Sequence, residues 1–212
     1  MNILNPKKIL VKNLKKIQNL FEELKDDNEI SNIILENYKQ ENIQINDVQI
    51  EKALINNTNI INSNLEKNTF VDVEFKNCNF SNTSFERCYF IRCKFDNCKM
   101  TGCNFIESRL YNVTFIETNL DYSNLAMGSI ENVIFENTGI RNGNFQENKF
   151  KNIIFKEVDL TQANFFKTSL KGIDFSNSII DGIVVSIEDI KGLTVNQFQA
   201  VDLLTIIGVK IK

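Results

Sequence analysis

From Ile45 to Ile180 every fifth residue is Ile, Leu, Phe or Met, and 14 of the chain's 17 phenylalanines fall on those 28 positions. A strand buries alternate residues and an α-helix buries residues three and four apart, so a strict period of five fits neither. A short fixed period describes a ribbon wound into a coil, each turn repeating the same environment. The residue two before each large side chain is mostly small or β-branched, as at Ala53, Thr58, Ser63, Val73, Cys78, Thr83, Cys88, Cys93, Cys98 and Cys103. Small and large positions therefore both face inward.

Sorted into four columns, the large positions show a longer period. Phe75, Phe95, Phe115, Phe135, Phe155 and Phe175 make a column of phenylalanine alone, and Asn104, Asn124, Asn144 and Asn164 make an amide column. Stacked identical strands favour such amide ladders. At ~4.8 Å between strands the repeats build about seven coils and a rod on the order of 30 Å long. Each buried large side chain contributes ~1.5–3 kcal/mol.

Cys78-Asn79-Phe80-Ser81-Asn82, Ala163-Asn164-Phe165 and Ile173-Asp174-Phe175-Ser176-Asn177 resemble the motif of the pentapeptide-repeat family, a small residue, Asp or Asn, Leu or Phe, then two polar residues. The resemblance implies an all-β solenoid: a right-handed quadrilateral β-helix with one pentapeptide per side and four per coil.

Open coil ends template aggregation unless they are covered. Asn5 reads as an N-cap and Pro6, the only proline, as the first residue of a helix. Leu10, Leu14, Ile17, Leu20, Phe21 and Leu24 share an arc of ~120° on a helical wheel. Ile30, Ile33, Ile34 and Tyr38 predict a second, shorter helix. Residues 1–41 are therefore expected to form an N-terminal helical cap, residues 42–191 the β-helix, and residues 192–212 a capping and dimerisation helix. In that last segment Thr194 or Asn196 can cap, and Gly208 stands where a helix end wants a left-handed residue. Ala200, Val201, Leu203, Leu204 and Ile207 fill a broad apolar arc, with Phe198 and Ile206 outside it. One face covers the last coil and apolar residues are left over, which predicts a homodimer through Phe198, Val201, Leu203, Leu204 and Ile207.

The same tail, with Phe198-Gln199-Ala200 near its start and Ile207-Gly208-Val209 at its end, is similar to the C-terminal segment of the quinolone-resistance (Qnr-type) pentapeptide proteins. That resemblance implies a protein that binds a type II topoisomerase, DNA gyrase or topoisomerase IV, and protects it from fluoroquinolones, with the rod's outer side chains as contact surface. The unbroken register leaves no room for the projecting loops that many of that group carry, unless an insertion is a multiple of five. The alternative is a scaffold rod that binds some other protein through its flat sides or N-terminal helices.

The chain has no histidine and no tryptophan, and neither Gly-rich phosphate loops nor paired metal-ligand motifs. A non-catalytic protein without metal or cofactor is expected. Asp159, Asp174 and Asp189 stand in the motif's own Asp/Asn slot, where a structural role explains them. The five cysteines occupy the small inward slot, so they read as buried filler. Cys78 and Cys98 share a column one coil apart, but a cytoplasmic location would keep them reduced. That location is expected because no segment approaches a membrane span and Lys7, Lys8, Lys12, Lys15 and Lys16 break the N-terminal apolar residues.

Net charge is −3. The side bearing Phe70, Phe90 and Phe150 carries Lys52, Arg92, Arg109, Lys149, Lys151 and Lys171 against Glu51, Asp72 and Glu131, six bases against three acids. A mimic of duplex DNA would be acidic along its length, at about one charge per ~1.7 Å, and this rod is not. Arg92, Arg109, Lys149, Lys151 and Lys171 are the expected partner-binding face, with no nucleic acid expected on it.

Overall fold

The computed structural model describes residue 4, residues 13–24 and residues 28–210. Each pentapeptide crosses one side of a square coil, and the residue two after each large one turns the corner. Among the described residues all 27 non-glycine residues with positive φ occupy that corner slot, and 13 of them are Asn. Left-handed backbone crowds the Cβ of an L residue, and Asn tolerates it better than most. Gly102, Gly172, Gly182 and Gly192 fill the same slot with φ of 66–82°.

On two adjoining sides the chain stays extended through the corner. The strands β1 (Lys15–Ile17), β2 (Glu29–Glu36), β4 (Gln49–Asn56), β6 (Thr69–Lys76), β7 (Tyr89–Asp96), β8 (Arg109–Ile116), β9 (Ser129–Glu136) and β10 (Lys149–Lys156) form one parallel sheet in the order β1-β2-β4-β6-β7-β8-β9-β10. Strands β3 (Lys39–Glu41) and β5 (Asn59–Ile61) pair on a third side. Elsewhere single bridges such as Asn104↔Asn124 and Asn124↔Asn144 join the coils. From β2 onward the register is one coil, as in Phe75↔Phe95 and Phe115↔Phe135. The parallel, four-sided β-solenoid that the family resemblance implied, in line with the twenty-residue recurrence, is the fold.

Its core is a set of stacked columns. The rings of Phe75, Phe95, Phe115, Phe135 and Phe155 lie 4.6–5.1 Å apart and within 10° of parallel, because an identical side chain in an identical rotamer recurs at the strand spacing. The inward small slot does more than save space. Cys88 Sγ, Cys103 Sγ, Ser108 Oγ and Thr168 Oγ1 each donate to the backbone carbonyl 23 residues earlier, at 2.6–3.0 Å. Asn68 stands in this slot too, accepting from Val48 N–H at 2.9 Å and donating to the carbonyls of Ile45 and Leu65 at 2.7 and 3.0 Å. A buried amide is stable there because its donors and acceptor find partners.

The N-terminal segment differs from the helices expected for it. Ile30, Ile33 and Ile34 lie in strand β2, where Ile30 pairs with Ile50 and Leu35 with Ile55. The period of five reaches back to Ile30 and Leu35, both buried, and only Gln40 interrupts it before Ile45. The apparent helical spacing was the small-and-large pattern of one more coil. Leu14 to Leu24 form strand β1 and a four-residue helix, α1 (Leu20–Glu23), rather than one long helix. In β1 the register shortens to 18, with Ile17 on Leu35, and that shift places Ile17 in the core where a shift of 20 would have brought Lys15. Leu20 is buried against the same core. The capping pair Asn5 and Pro6, with Leu10, lies outside the described residues.

At the other end helix α2 (Gln197–Leu204) is capped by Asn196, whose Oδ1 accepts from the N–H groups of Phe198 and Gln199 at 3.0 Å while its own N–H donates to Gln199 Oε1. A 3-10 turn over Thr205–Ile207 follows, and Gly208 closes it with a φ of 78°.

Candidate functional site

On the flat sides of a square rod, chemistry is set by the outward columns. Residues one coil apart stand opposite one another at the strand spacing, where opposite charges attract. Arg87 bonds Glu107 at 2.8 Å, Lys151 bonds Glu131 at 2.6 Å, Lys167 bonds Glu147 at 3.2 Å, and Lys156 bonds Glu136. The pairing with Glu131 raises the Lys151 ammonium, and that with Glu147 also has its mark, since Lys167 holds the Glu147 carboxyl below its ordinary value. Much of the acidic surface is thus already neutralised by the rod itself.

The five residues of the expected basic face share one side but not one state. Arg92 Nε and Nη2 donate to both carboxylate oxygens of the buried Asp72 at 2.6 and 2.7 Å, and Lys151 is held by Glu131. Arg109 lies over the Tyr89 ring, 5.4 Å from its centroid. Lys149 and Lys171 are exposed and form no ion pair among the described residues. Beside them stand residues that charge counting passed over. Tyr89 and Tyr111 are exposed, and with Ile91, Arg109, Ser129 and Glu131 they border a shallow groove of about 260 Å³. Sorting the outward positions into columns would have found them, since Val71, Ile91 and Tyr111 follow one another at a spacing of one coil.

Of the residues expected at a dimer interface, Phe198 is 73% exposed, Val201 and Leu204 are exposed, and Leu203 is half-buried against the core. The Ile207 side chain lies outside what the structure describes. Ile179, Val184, Ile187 and Ile206 add exposed apolar area at the same end of the rod. The reason for this polarity is Gln199, whose Nε2 donates to the carbonyls of Phe175 and Ser178 at 2.9 and 2.7 Å. With Gln199 plugged into the last coil, its neighbour Phe198 must point outward.

All five cysteines are buried free thiols. Burial pushes Cys88, Cys93 and Cys103 up to about 12, which keeps them protonated and unreactive. Among the described residues no cluster of Cys, Asp or Glu could hold a metal ion, and no helix is long and apolar enough to cross a membrane.

Stacked pentapeptide sides, left-handed corners and capped ends define a class, the four-sided pentapeptide solenoid. Family profiles match residues 68–142 as a pentapeptide repeat region and residues 144–182 as pentapeptide repeats, so the chain belongs to the pentapeptide-repeat family. No curated protein matches it in sequence. Among solved structures it is similar to HetL, a pentapeptide repeat protein involved in heterocyst differentiation regulation in the cyanobacterium Nostoc, with a TM-score of 0.60, 13% identity, and coverage of 84% of this chain and 95% of that one. A trypsin-treated QnrB1, a plasmid-mediated fluoroquinolone resistance protein, matches with a TM-score of 0.41 at 16% identity, over 87% of this chain and 90% of that one.

Proposed function

We propose that the chain is a non-catalytic binding protein that acts as a dimer and docks its rod on a type II topoisomerase, shielding that enzyme from fluoroquinolones. The observation that carries this reading is the arrangement of Phe198-Gln199-Ala200. Gln199 is buried in the last coil with two carbonyl partners, and Phe198 beside it is turned to solvent. This gives a physical use to the aromatic-Gln-Ala segment that resembles the Qnr-type tail: the amide seals the solenoid and the aromatic ring awaits a second copy. Such a partner would place the protein in the cytoplasm.

The charge ladders shape how contact would be made. Carboxylates already paired with Arg and Lys one coil away do not present the continuous negative line of a duplex. Docking would rest on the flat sides and their free cations rather than on imitation of DNA. A supercoiling assay with purified gyrase, run with and without ciprofloxacin, tests the reading. Recovery of supercoiling in the presence of drug supports it, and no protection or inhibition across a wide range of protein concentration rejects it.

A further inference from the structure

We propose that the side of the rod centred on Tyr89, Ile91 and Tyr111 is a docking surface for an acidic segment of a protein partner, one that also carries an apolar anchor residue. The inference stands whether or not that partner is a topoisomerase.

The apolar half of the site is a product of register. Val71, Ile91 and Tyr111 succeed one another on β6, β7 and β8, and Tyr89 lies opposite Arg109 in the neighbouring column. At ~4.8 Å per coil these side chains form a continuous ridge. Tyr89 and Tyr111 are both 42% exposed. Tyrosine offers a large contact area at low conformational cost and is enriched in interfaces. The groove beside the ridge, bounded by Ile91, Arg109 and Ser129, can take one inserted side chain.

The charged half follows directly along the same side. Arg109 and Lys149 share a column two coils apart, ~10 Å, and Lys171 stands one coil beyond in the adjoining column. None of the three has an ion pair among the described residues, whereas Glu131, the acid between Arg109 and Lys149, is engaged by Lys151, and Asp72, two coils before Arg109, is engaged by Arg92. The charge left for a partner is therefore positive, next to an apolar ridge. Carboxylates spaced along a segment beside an aliphatic or aromatic anchor complement that arrangement.

A nucleic acid fits it less well. Tyr89 has Arg109 over one ring face, which removes a platform on which a base would stack. Val71 and Ile91 offer aliphatic contact without hydrogen bonding to a base edge. Three free cations spread over several coils also provide few of the phosphate contacts that carry such binding.

The test uses the full chain and fluorescein-labelled probes in anisotropy titrations: a random glutamate–tyrosine copolymer, polyglutamate and a short DNA oligonucleotide. The copolymer should bind more tightly than polyglutamate, and the DNA least. Arg109→Glu with Lys149→Glu, and separately Tyr89→Ala with Tyr111→Ala, should each weaken copolymer binding by at least about tenfold. Lys76→Glu with Lys94→Glu, the same change of charge on the adjoining side, should leave it within about twofold. All these side chains point outward, and circular dichroism would confirm that each variant keeps the fold. The proposal is overturned if the DNA binds most tightly, if the adjoining-side variant loses as much affinity as Arg109→Glu with Lys149→Glu, or if the copolymer does not bind.

Discussion

Asp121 and Arg141 clamp two successive coils together. Arg141 Nε and Nη2 donate to Asp121 Oδ2 at 3.0 and 2.6 Å, and the Arg141 backbone N–H donates to Oδ1 at 2.9 Å. The Asp121 side chain is only 6% exposed. Burial by itself would raise its carboxyl, but the bonds from Arg141 outweigh burial and hold it below the ordinary value. A carboxyl whose folded value lies below its unfolded one stabilises the fold at neutral pH, and that contribution is lost as pH falls through the folded value. Asp121→Asn should lower stability at pH 7 by about 1–3 kcal/mol in urea unfolding, less if the exposed Arg141 is well screened. The gap from wild type should narrow below about pH 4. A gap that does not change with pH would show that shape, and not charge, is what Asp121 contributes.

Tyr122 occupies a corner with a φ of 61° and is 65% exposed. The neighbouring corners of its column carry Gly102 and Asn142, which suit left-handed backbone better. Tyr122→Asn should raise the thermal midpoint, with a gain of about 0.5–1 kcal/mol. The reverse experiment is Asn97→Val, which places a β-branched residue at positive φ and removes the 2.8 Å bond from Asn97 Nδ2 to Asn77 Oδ1. It should cost about 1–2 kcal/mol.

For the thiols, burial raises Cys88, Cys93 and Cys103 to about 12, while an unfolded cysteine titrates near ~8.5. A raised folded value means that the stabilising difference is complete below ~8.5 and is lost as pH climbs towards 12. The native protein should resist thiol reagents at neutral pH and react once unfolded, and its stability should decline with pH in the alkaline range. Cys88→Ser with Cys93→Ser and Cys103→Ser keeps a donor for each carbonyl and should flatten that decline. Fast labelling of the native protein would contradict the assignment.

At the C-terminal end, Gln199→Ala would strip hydrogen bonds from the carbonyls of Phe175 and Ser178. It should cost about 1–3 kcal/mol and be read out first as faster hydrogen exchange in the last coil. Phe198→Asp with Leu204→Asp changes only exposed side chains. It should convert a dimer to a monomer in light scattering while leaving the far-ultraviolet circular dichroism unchanged. An unchanged mass would remove the dimer from the proposed function.

The period of five made the coil and its core legible before any coordinates, because each large side chain must be buried, and the twenty-residue recurrence agreed with the four sides that the family resemblance implies. It misled at the N-terminus. Ile30, Ile33, Ile34 and Tyr38 satisfy a helical wheel and a pentapeptide ladder equally, and isolated propensity cannot choose between them. The choice is made by the neighbouring coil, where Ile50 and Ile55 offer Ile30 and Leu35 parallel partners. The corner slot, two residues after each large one, was not read from the sequence; positive φ at its recurring Asn residues is what reveals it. The basic side was found by counting, yet counting cannot tell that Arg92 is committed to Asp72 and that Lys149 is free.

The sequence by itself determined the solenoid and the direction of its interior, since burial of one residue in five leaves few other ways to fold. Only the tertiary structure decided which outward residues are available. Charges set twenty residues apart become neighbours at the strand spacing and cancel, while Tyr89, Tyr111 and Phe198 remain exposed. Leu4, whose N–H donates to Asn112 Oδ1 at 3.2 Å across 108 positions of sequence, makes the same point. A short-range pattern specifies the coil, but contacts on its surface depend on which coil each residue reaches, and that is settled by three-dimensional packing.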